Sequence, residues 1–150
     1  MSENEDSLQK RPYIFMLPGG PGANHSQSKD YECLRTAGNI VFIDPRGCGL
    51  SSKHDPSFYT MENYIEDVDA LRKYLNLEQI TLLGKSYGAM CALGYTLSYP
   101  EHVSSLVLAA GSPSYKNIET ARLNVEKRGT LEQQKICEQL WEGSFKNHEE

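Results

Sequence analysis

The stretch LLGKSYGAM, Leu82 to Met90, fits two kinds of site that require different folds. Its Gly-Lys-Ser triplet matches the end of a phosphate-binding loop, in which backbone N–H groups surround a phosphate. Its Gly84, Ser86 and Gly88 match the G-x-S-x-G turn, which presents a nucleophilic serine between a strand and a helix. The residues around the stretch decide between the two.

A phosphate-binding loop begins with a glycine, followed by four loop residues and then Gly-Lys-Ser or Gly-Lys-Thr. The residue at the first position here is Gln79, and the next four, Ile80 to Leu83, are apolar and strand-like. Such a segment does not form a cradle for a phosphate. Nucleotide binding is therefore disfavoured, and Lys85 is predicted to be a bystander.

The nucleophile turn needs a strand before the serine, a helix after it and small residues two positions to either side. The run QITLLGK precedes Ser86, and the apolar segment Tyr87 to Tyr99 follows it and ends at Pro100. Proline cannot continue a helix, so this segment is predicted to be one deeply buried helix. The turn directs the backbone N–H of Tyr87 towards an oxygen held near Ser86, which is the predicted nucleophile.

Three further apolar runs predict strands: Tyr13 to Leu17, Ile40 to Ile43, and the segment VSSLVLAAGSP that begins at Val103. Continuous apolar strands are covered on both faces, as in a parallel sheet. Residues 26 to 37 are predicted as a helix, and a second helix begins after Thr60, a predicted N-cap. Its apolar stripe consists of Met61, Ile65, Val68, Leu71 and Leu75. This alternation predicts a parallel α/β sheet with flanking helices.

A glycine-rich loop, PGGPG at Pro18 to Gly22, directly follows the first strand. A loop of this kind can bring a second backbone N–H beside the serine and so complete an oxyanion hole, with Gly20 as the predicted donor. Alone, the loop would be interpreted as a simple chain reversal. Its position upstream of the G-x-S-x-G turn favours the functional interpretation.

The chain is predicted to have three parts. Residues 1–12 are a polar lead, expected to be disordered; residues 13–115 form the α/β core; and residues 116–150 form two helical stretches, each closed by a glycine. Thr130 and Gln133 form a capping box before the second stretch. That stretch carries an apolar stripe that is expected to promote self-association. Its members are Ile136, Cys137, Leu140 and Trp141.

Composition excludes several functions. The net charge is −5 without a basic cluster, which argues against nucleic acid as a partner, and no apolar run is long enough to span a membrane. The four cysteines lie far apart without C-x-x-C spacing, so no disulfide scaffold, metal site or cofactor is predicted. The N-terminus lacks the pattern of a secretory signal, and a cytoplasmic location is expected.

Together these motifs resemble the α/β-hydrolase fold, and within it the proline iminopeptidase family of serine aminopeptidases. The resemblance rests on four motifs in family order: GGPG (Gly19 to Gly22), DPRGCGLSS (Asp44 to Ser52), GKSYG (Gly84 to Gly88) and YPEHVSSLVL (Tyr99 to Leu108). It implies a small peptide, amide or ester substrate, with release of N-terminal proline through an acyl-enzyme on Ser86. It also implies that Gly20 and Tyr87 are the oxyanion donors.

The resemblance assigns supporting positions as well. Asp44 and Arg46 are expected to order the rim of the active site. The glycines with supporting roles are Gly19, Gly22, Gly84 and Gly88. Pro18 stands where the family usually has histidine, and Pro45 and Leu50 replace glutamine and arginine. These departures weaken the assignment of one peptidase specificity more than that of the fold, and related hydrolases of esters or lactones share the same frame.

A serine nucleophile needs a histidine base and a carboxylate that orients it, and in this fold both follow the serine in the chain. Only His102 and His148 follow Ser86, one in a helix-to-strand connection and one in a charged tail. His25 and His54 are out of order and are predicted to be loop residues. The chain thus resembles the middle of a hydrolase, truncated at both ends. A catalytically inert remnant is the alternative to a working peptidase.

Overall fold

A computed structural model of the chain describes residues 11–114 and 116–142. The chain divides into two compact units, and the division falls between Pro113 and Ser114. The first unit contains a four-stranded sheet and its helices, and the second contains two helices. Residues 1–10 of the predicted disordered lead lie outside the described residues. None of the helices in the described ranges is long and apolar enough to cross a membrane.

The sheet is parallel throughout, as the alternation of strands and helices predicts. Its strands are β1 Tyr13–Leu17, β2 Asn39–Phe42, β3 Ile80–Lys85 and β4 Val103–Ala109, in the spatial order β2-β1-β3-β4. The chain runs from β1 to β2 on one side and then places β3 on the other side of β1. In open α/β sheets, ligands bind beyond the carboxyl ends of the two strands at such a reversal. The fold therefore directs attention to the loops after β1 and β3.

The two faces of β1 bury different clusters of apolar side chains. Phe15 and Leu17 point to one face, where they join Val68 and Tyr95 in the larger cluster. The alternate residues, Ile14 and Met16, point to the other face and pack with Leu83, Tyr31 and Leu34. The larger cluster is covered by helices α1 Met61–Tyr74 and α2 Tyr87–Ser98. The Thr60 N-cap of α1 is confirmed, since its hydroxyl accepts a hydrogen bond from Asn63 N at 3.2 Å.

The expectation that all strands are covered on both faces is wrong for the outer ones. β1 and β3 are buried, but β2 is only half-buried, and Val107 and Leu108 of β4 are each 47% exposed. β2 and β4 each have one neighbouring strand among the described residues, so fewer side chains cover them. Helix α2 is also not buried all round: Cys91, Ala92 and Tyr95 are buried, but Leu97 is exposed.

Residues His25–Thr36 form a 3₁₀ helix, so a helix is present where one is predicted for residues 26 to 37, with 3₁₀ instead of α geometry. The segment contacts the smaller apolar cluster through Tyr31 and Leu34, which are three residues apart. This spacing places both side chains on one line of a helix with three residues per turn. The segment has few other apolar side chains, so burial does not favour the 3.6-residue repeat of an α-helix.

The second unit consists of helices α3 Lys116–Arg128 and α4 Leu131–Glu142. The predicted capping box at the start of α4 is confirmed: Gln133 N donates to Thr130 Oγ1 at 3.2 Å, and Thr130 N donates to Gln133 Oε1 at 2.9 Å. The Arg122 guanidinium lies 5.2 Å from the centre of the Trp141 ring. Two members of the predicted apolar stripe, Ile136 and Leu140, are exposed.

Candidate active site

Ser86 occupies the sharp turn between β3 and α2. Its backbone has φ 53° and ψ −116°, a region that residues with a side chain rarely adopt. Hydrogen bonds on both sides hold it there: Ser86 N donates to Ala109 O of β4 at 2.8 Å, and Ala89 N donates to Ser86 O at 3.0 Å. Strain that is maintained by its surroundings in this way is typical of functional turns.

The glycines on either side of Ser86 lie where no side chain fits. A Cβ on Gly84 would lie 2.3 Å from the carbonyl oxygen of Gly88, and a Cβ on Gly88 would lie 2.2 Å from that of Leu17. Helix α2 thus approaches β1 and β3 more closely than any larger residue would allow. This approach brings the start of α2 to the loop that follows β1.

The glycine-rich loop lies against the serine turn because β1 and β3 are neighbours, with Leu17 paired to Gly84. A Cβ on Gly19 would lie 3.2 Å from Ser86 Cβ and 3.8 Å from Ser86 Oγ. Gly20 has φ 119° and Gly22 has φ 101°, values that glycine adopts without a steric penalty. The structure therefore brings the loop and the serine together, as the spacing of the two motifs in the sequence suggests.

Tyr87 is the first residue of α2, so its backbone N–H has no acceptor within the helix. The positive end of the helix dipole at this point favours a negative charge close to Ser86. The side chain of Tyr87 is half-buried and hydrogen-bonds the Cys91 thiol, and burial raises the pKa of Tyr87 to about 12. Burial likewise raises the pKa of Cys91 to about 11, so that thiol stays protonated near neutral pH.

Asp44, in the loop after β2, binds the residues that follow the glycine-rich loop. The His25 backbone N–H donates to Asp44 Oδ1 at 2.6 Å, and His25 Nδ1 lies 2.9 Å from both carboxylate oxygens. Leu50 N donates to Asp44 Oδ2 at 2.8 Å. Burial raises the pKa of Asp44, but the hydrogen bonds from Leu50 and His25 outweigh it, and the pKa lies below its ordinary value. No sequence pattern predicts this pair, because it depends on the packing of two loops.

Arg46, two residues beyond Asp44, connects the same loop to helix α1. Its Nε donates to Asp67 Oδ2 at 2.7 Å, and its Nη2 donates to the other carboxylate oxygen. A guanidinium held by two parallel hydrogen bonds has a defined orientation as well as a paired charge. The loop after β2 is thus attached to the glycine-rich loop on one side and to α1 on the other.

None of the histidines in the described ranges hydrogen-bonds Ser86. His25 lies after the glycine-rich loop, and its ring is bound to Asp44 in the loop after β2. His102 precedes β4, at the end of the sheet opposite Ser86, with its Nδ1 2.9 Å from Glu78 O. His54 is exposed. His148 lies outside the described residues.

A cavity of about 410 Å³ opens beside the serine turn. Its walls come from the glycine-rich loop, the loop after β2, the start of α1 and the first residue of α2; they include Gly19, Pro21, Cys48, Tyr59, Tyr64 and Tyr87. Cys48 falls within the motif DPRGCGLSS, whereas none of the motifs in the sequence includes Tyr59 or Tyr64. A larger cavity of about 650 Å³ lies at the amino end of the strands, remote from Ser86, and contains no comparable chemistry.

The strained serine between a strand and a helix, the glycine-rich loop against it and their position at the strand-order reversal define the active-site frame of an α/β-type hydrolase. Comparison with known families agrees. The chain belongs to the alpha/beta hydrolase fold family, whose model matches residues 12–133.

Within this family the chain is similar to proline iminopeptidases. It is 37% identical over 106 residues to the proline iminopeptidase of Lactobacillus helveticus. The aligned region covers 67% of this chain and 36% of that protein. The crystal structure of a proline iminopeptidase-related protein from Thermus thermophilus matches with a TM-score of 0.61 and 31% identity, covering 68% of this chain and 37% of the other. The Mycobacterium smegmatis proline iminopeptidase shares the fold, with a TM-score of 0.74 and 22% identity over 89% of this chain and 46% of the other. The chain thus spans less than half the length of these relatives.

Proposed function

We propose that the chain carries the nucleophile and oxyanion hole of a serine hydrolase that releases N-terminal residues, prolyl in particular, from peptides. The observation that carries this proposal is the Ser86 turn, which is strained and faces Gly19 from the neighbouring strand. The similarity to proteins named proline iminopeptidase supports the substrate class. A related esterase or lactonase activity uses the same frame and differs in the leaving group.

In the proposed reaction, Ser86 Oγ attacks the carbonyl carbon of the scissile amide while its proton passes to a base. The backbone N–H groups of Gly20 and Tyr87 stabilise the negative charge that develops on the carbonyl oxygen, and the dipole of α2 adds to this effect. The amine leaves with the proton, and an acyl-ester on Ser86 remains. Water then cleaves the ester and restores the hydroxyl. Asp44 and Arg46 are proposed to order the loop beside this site without taking part in proton transfer.

The position of the histidines favours a second candidate, a chain that is catalytically inert by itself. The His25 ring is bound to Asp44, and His102 lies at the far end of the sheet, so among the described histidines neither hydrogen-bonds Ser86. Removing the base of a serine hydrolase lowers turnover by up to about a million-fold. An isolated chain without a base would therefore retain the oxyanion hole and lose almost all turnover.

The intact mass of the protein after incubation with a fluorophosphonate distinguishes the two candidates. One adduct that is absent from Ser86→Ala would show an activated serine and support the hydrolase. A cooperatively folded sample without an adduct would overturn the proposal that this chain is active alone. Where an adduct forms, hydrolysis of a prolyl arylamide compared with that of an acetyl ester separates peptidase from esterase. Turnover unaffected by Ser86→Ala would exclude Ser86 as the nucleophile.

A further inference from the structure

The glycine-rich loop is fixed at its start by the sheet. The end of β1 pairs with β3, and Gly19 lies so close to the serine turn that a Cβ on it would be 3.2 Å from Ser86 Cβ. Beyond Gly19 the backbone has few conformational preferences, because Gly20 and Gly22 both have positive φ and glycine enters and leaves that region without a steric penalty. The direction of the Gly20 N–H therefore depends on how the far end of the loop is held.

His25 holds the far end of the loop by binding Asp44 through two groups. Its backbone N–H donates to Asp44 Oδ1 at 2.6 Å, and its ring Nδ1 lies 2.9 Å from each carboxylate oxygen. Burial raises the pKa of Asp44, but the hydrogen bonds outweigh burial, so the carboxylate is ionised near neutral pH and only accepts hydrogen bonds. Nδ1 is therefore the donor. The main chain and the side chain of one residue together fix the chain where it leaves the loop.

Asp44 is a fixed point for this attachment. Its side chain is 7% exposed, and Leu50 N donates to Oδ2 at 2.8 Å. Gly49 lies so close to the carboxylate that a Cβ there would be 2.1 Å from Oδ2. The Ser51 hydroxyl donates to the Asp44 carbonyl oxygen at 2.7 Å. The carboxylate therefore has little room to turn and keeps its orientation towards His25.

The His25 ring contributes through this hydrogen bond and little through packing. Its side chain is 37% exposed and lies outside both buried apolar clusters. Among the residues that the structure describes, Asp44 is the hydrogen-bond partner of the ring. Replacement of the ring thus removes one defined contact and leaves the core of the first unit intact.

We propose that His25 is a positioning residue for the oxyanion hole: its ring, bound to Asp44, holds the glycine-rich loop so that the Gly20 N–H faces the oxygen of the acyl group that Ser86 attacks. The proposal rests on the proposed function, which names Gly20 as a donor. Four residues separate Gly20 from His25, so a displacement at the histidine is transmitted to the donor. Misplacement of a catalytic group by about 1 Å lowers the rate about 100-fold. His25 acts through Asp44 and the loop, without contact to the substrate or transfer of a proton.

Nuclear magnetic resonance of protein isotopically labelled at the glycine nitrogens tests the loop without requiring turnover. The chain has 12 glycines, so the spectrum is simple enough to assign each backbone amide. We expect His25→Ala to broaden or double the signals of Gly20 and Gly22, because a loop released from Asp44 exchanges between conformations on the microsecond-to-millisecond timescale. The signal of Gly94, within α2, should stay unchanged.

His25→Asn is the matched variant that keeps the proposed contact. The amide nitrogen of asparagine is bonded to Cγ, as Nδ1 of histidine is, so it can donate to the Asp44 carboxylate without a ring or a charge. This variant should give loop signals like those of the parent protein. His54→Ala replaces an exposed histidine in the loop after β2 and should leave the glycine-rich loop unchanged.

The rate of phosphonylation of Ser86 by a fluorophosphonate tests the consequence for the chemistry. In that reaction a bond forms between Ser86 Oγ and phosphorus, the phosphorus–fluorine bond breaks, fluoride leaves, and the serine proton passes to a base. The phosphoryl oxygen gains negative charge, as the acyl oxygen does in the proposed reaction. His25→Ala should lower the limiting rate about 10- to 100-fold, with little change in the reagent concentration at half-maximal rate. His25→Asn should stay within about threefold of the parent rate.

Several outcomes would overturn the positioning role. They are unchanged loop signals in His25→Ala, the same broadening in His25→Ala and His25→Asn, and a changed loop with an unchanged phosphonylation rate. Broadening of all glycine signals with a lower urea midpoint would also overturn it, because His25 would then support overall stability alone.

The two measurements separate this inference from the proposed function. If the parent protein forms no adduct, the proposed function fails for this chain, and the loop signals alone decide whether His25 places the loop. An adduct in the parent protein together with sharp loop signals in His25→Ala would retain the hydrolase and reject the positioning role.

Discussion

Ser86 has a positive φ angle, which is unfavourable for a residue with a side chain, and it lies in a turn so tight that only glycine fits at positions 84 and 88. The spacing of Gly84, Ser86 and Gly88 is sufficient to predict the turn, because the strand before it and the helix after it are visible in the hydrophobic pattern. The Tyr64 hydroxyl, which is buried without a hydrogen-bond partner among the described residues, cannot be predicted from the sequence in this way. Tyrosine at a core-facing position of an amphipathic helix is ordinary, and whether its hydroxyl finds a partner depends on residues far away in the sequence.

Replacement of Ser86 by glycine should stabilise the protein. A residue with a side chain at positive φ is strained by about 1–3 kcal/mol, whereas the greater freedom of glycine in the unfolded chain offsets about 0.5–1 kcal/mol of the relief. We therefore expect Ser86→Gly to raise the free energy of unfolding in urea by about 1 kcal/mol. Ser86→Ala keeps the strain and serves as the control. Equal stability of the two variants would show that the strain is no larger than the roughly 0.5–1 kcal/mol that the freedom of glycine in the unfolded chain costs.

Replacement of Gly88 by alanine should have the opposite effect. The new Cβ would lie 2.2 Å from the carbonyl oxygen of Leu17, so helix and strand must separate. Overpacking against backbone leads us to expect a loss of roughly 3 kcal/mol in the free energy of unfolding. Gly94→Ala in the same helix is the matched control, since its Cβ would meet only the flexible end of Ile65. A similar loss in both variants would attribute the effect to the helix in general.

Helices α1 and α2 are joined by a buried polar network. Asp69 accepts hydrogen bonds from Arg72 Nε at 2.8 Å and from the Tyr95 hydroxyl of α2 at 3.0 Å. Arg72 also donates to Leu77 O at 2.7 Å, just before β3. The sequence suggests Asp69 only as one of several acids that suit the helix dipole, because the pairing partner from α2 is not visible in the pattern of α1.

Removal of the Asp69 carboxylate should destabilise the protein strongly. Asp69→Ala leaves the buried Arg72 without its counter-charge, and breaking one side of such a pair costs about 3–5 kcal/mol. Lys73 also contacts Asp69, but its side chain is largely exposed, so Lys73→Ala should cost less than about 1 kcal/mol. Denaturant unfolding of the two variants measures the difference. Comparable losses would contradict a special role for the buried pair.

The same carboxylates should make stability depend on pH under acid conditions. Burial raises the pKa of Asp69, but hydrogen bonds from Lys73, Arg72 and Tyr95 outweigh it, and the pKa of Asp69, like that of Asp44, lies below the ordinary value of 3.8. The unfolded chain therefore binds more protons than the folded protein as the pH falls through this region. We expect the free energy of unfolding to be level above about pH 5 and to fall below about pH 4.

Asp44→Asn provides a test of this assignment that spares the buried Arg72. It removes one of the two titrating carboxylates, so the acid loss of stability should be shallower than in the parent protein. Urea unfolding at a series of pH values gives both slopes. An unchanged slope would place the proton uptake on other carboxylates.

Exposed apolar residues on both units bear on how copies of the molecule interact. Val107 and Leu108 lie on the outer strand β4, and Ile136 and Leu140 lie on α4. We propose that the protein associates through the stripe on α4, because an exposed apolar row on a helix readily packs against a second copy of itself. Strand β4 carries no charge or proline in VSSLVLA, the residues that usually protect a sheet edge, and it is the competing surface.

Sedimentation velocity over a range of concentrations can separate these surfaces. Leu140→Glu should reduce the concentration-dependent rise in mass to that of a monomer, whereas Val107→Lys should leave it unchanged. The reverse result would assign association to the edge of β4. A monomer at all concentrations in the parent protein would reject the proposal.

The class of fold is predictable because it depends on short-range patterns in the sequence. The exposed surfaces are not predictable, since they depend on which strands and helices lie next to each other. Apolar runs identify β1 and β3 as buried strands, and the motif order places the glycine-rich loop beside Ser86. The same pattern in VSSLVLA does not reveal that one side of β4 is open among the described residues. The pairing of His25 with Asp44 is equally invisible, since two loops that follow different strands create it.

The strand order β2-β1-β3-β4 has a consequence for how the chain acquires its structure. Of the four strands described, β1 is synthesised before the others, yet one of its two neighbours, β3, emerges only after β2 and α1 have been completed. Until β3 is synthesised, Phe15 and Leu17 lack the strand that pairs with them on that side of β1. Sheets built from pairings so distant in the sequence form slowly. We expect nascent chains that end before β3 to bind chaperones that recognise extended apolar segments, and release to coincide with the synthesis of ITLLGK.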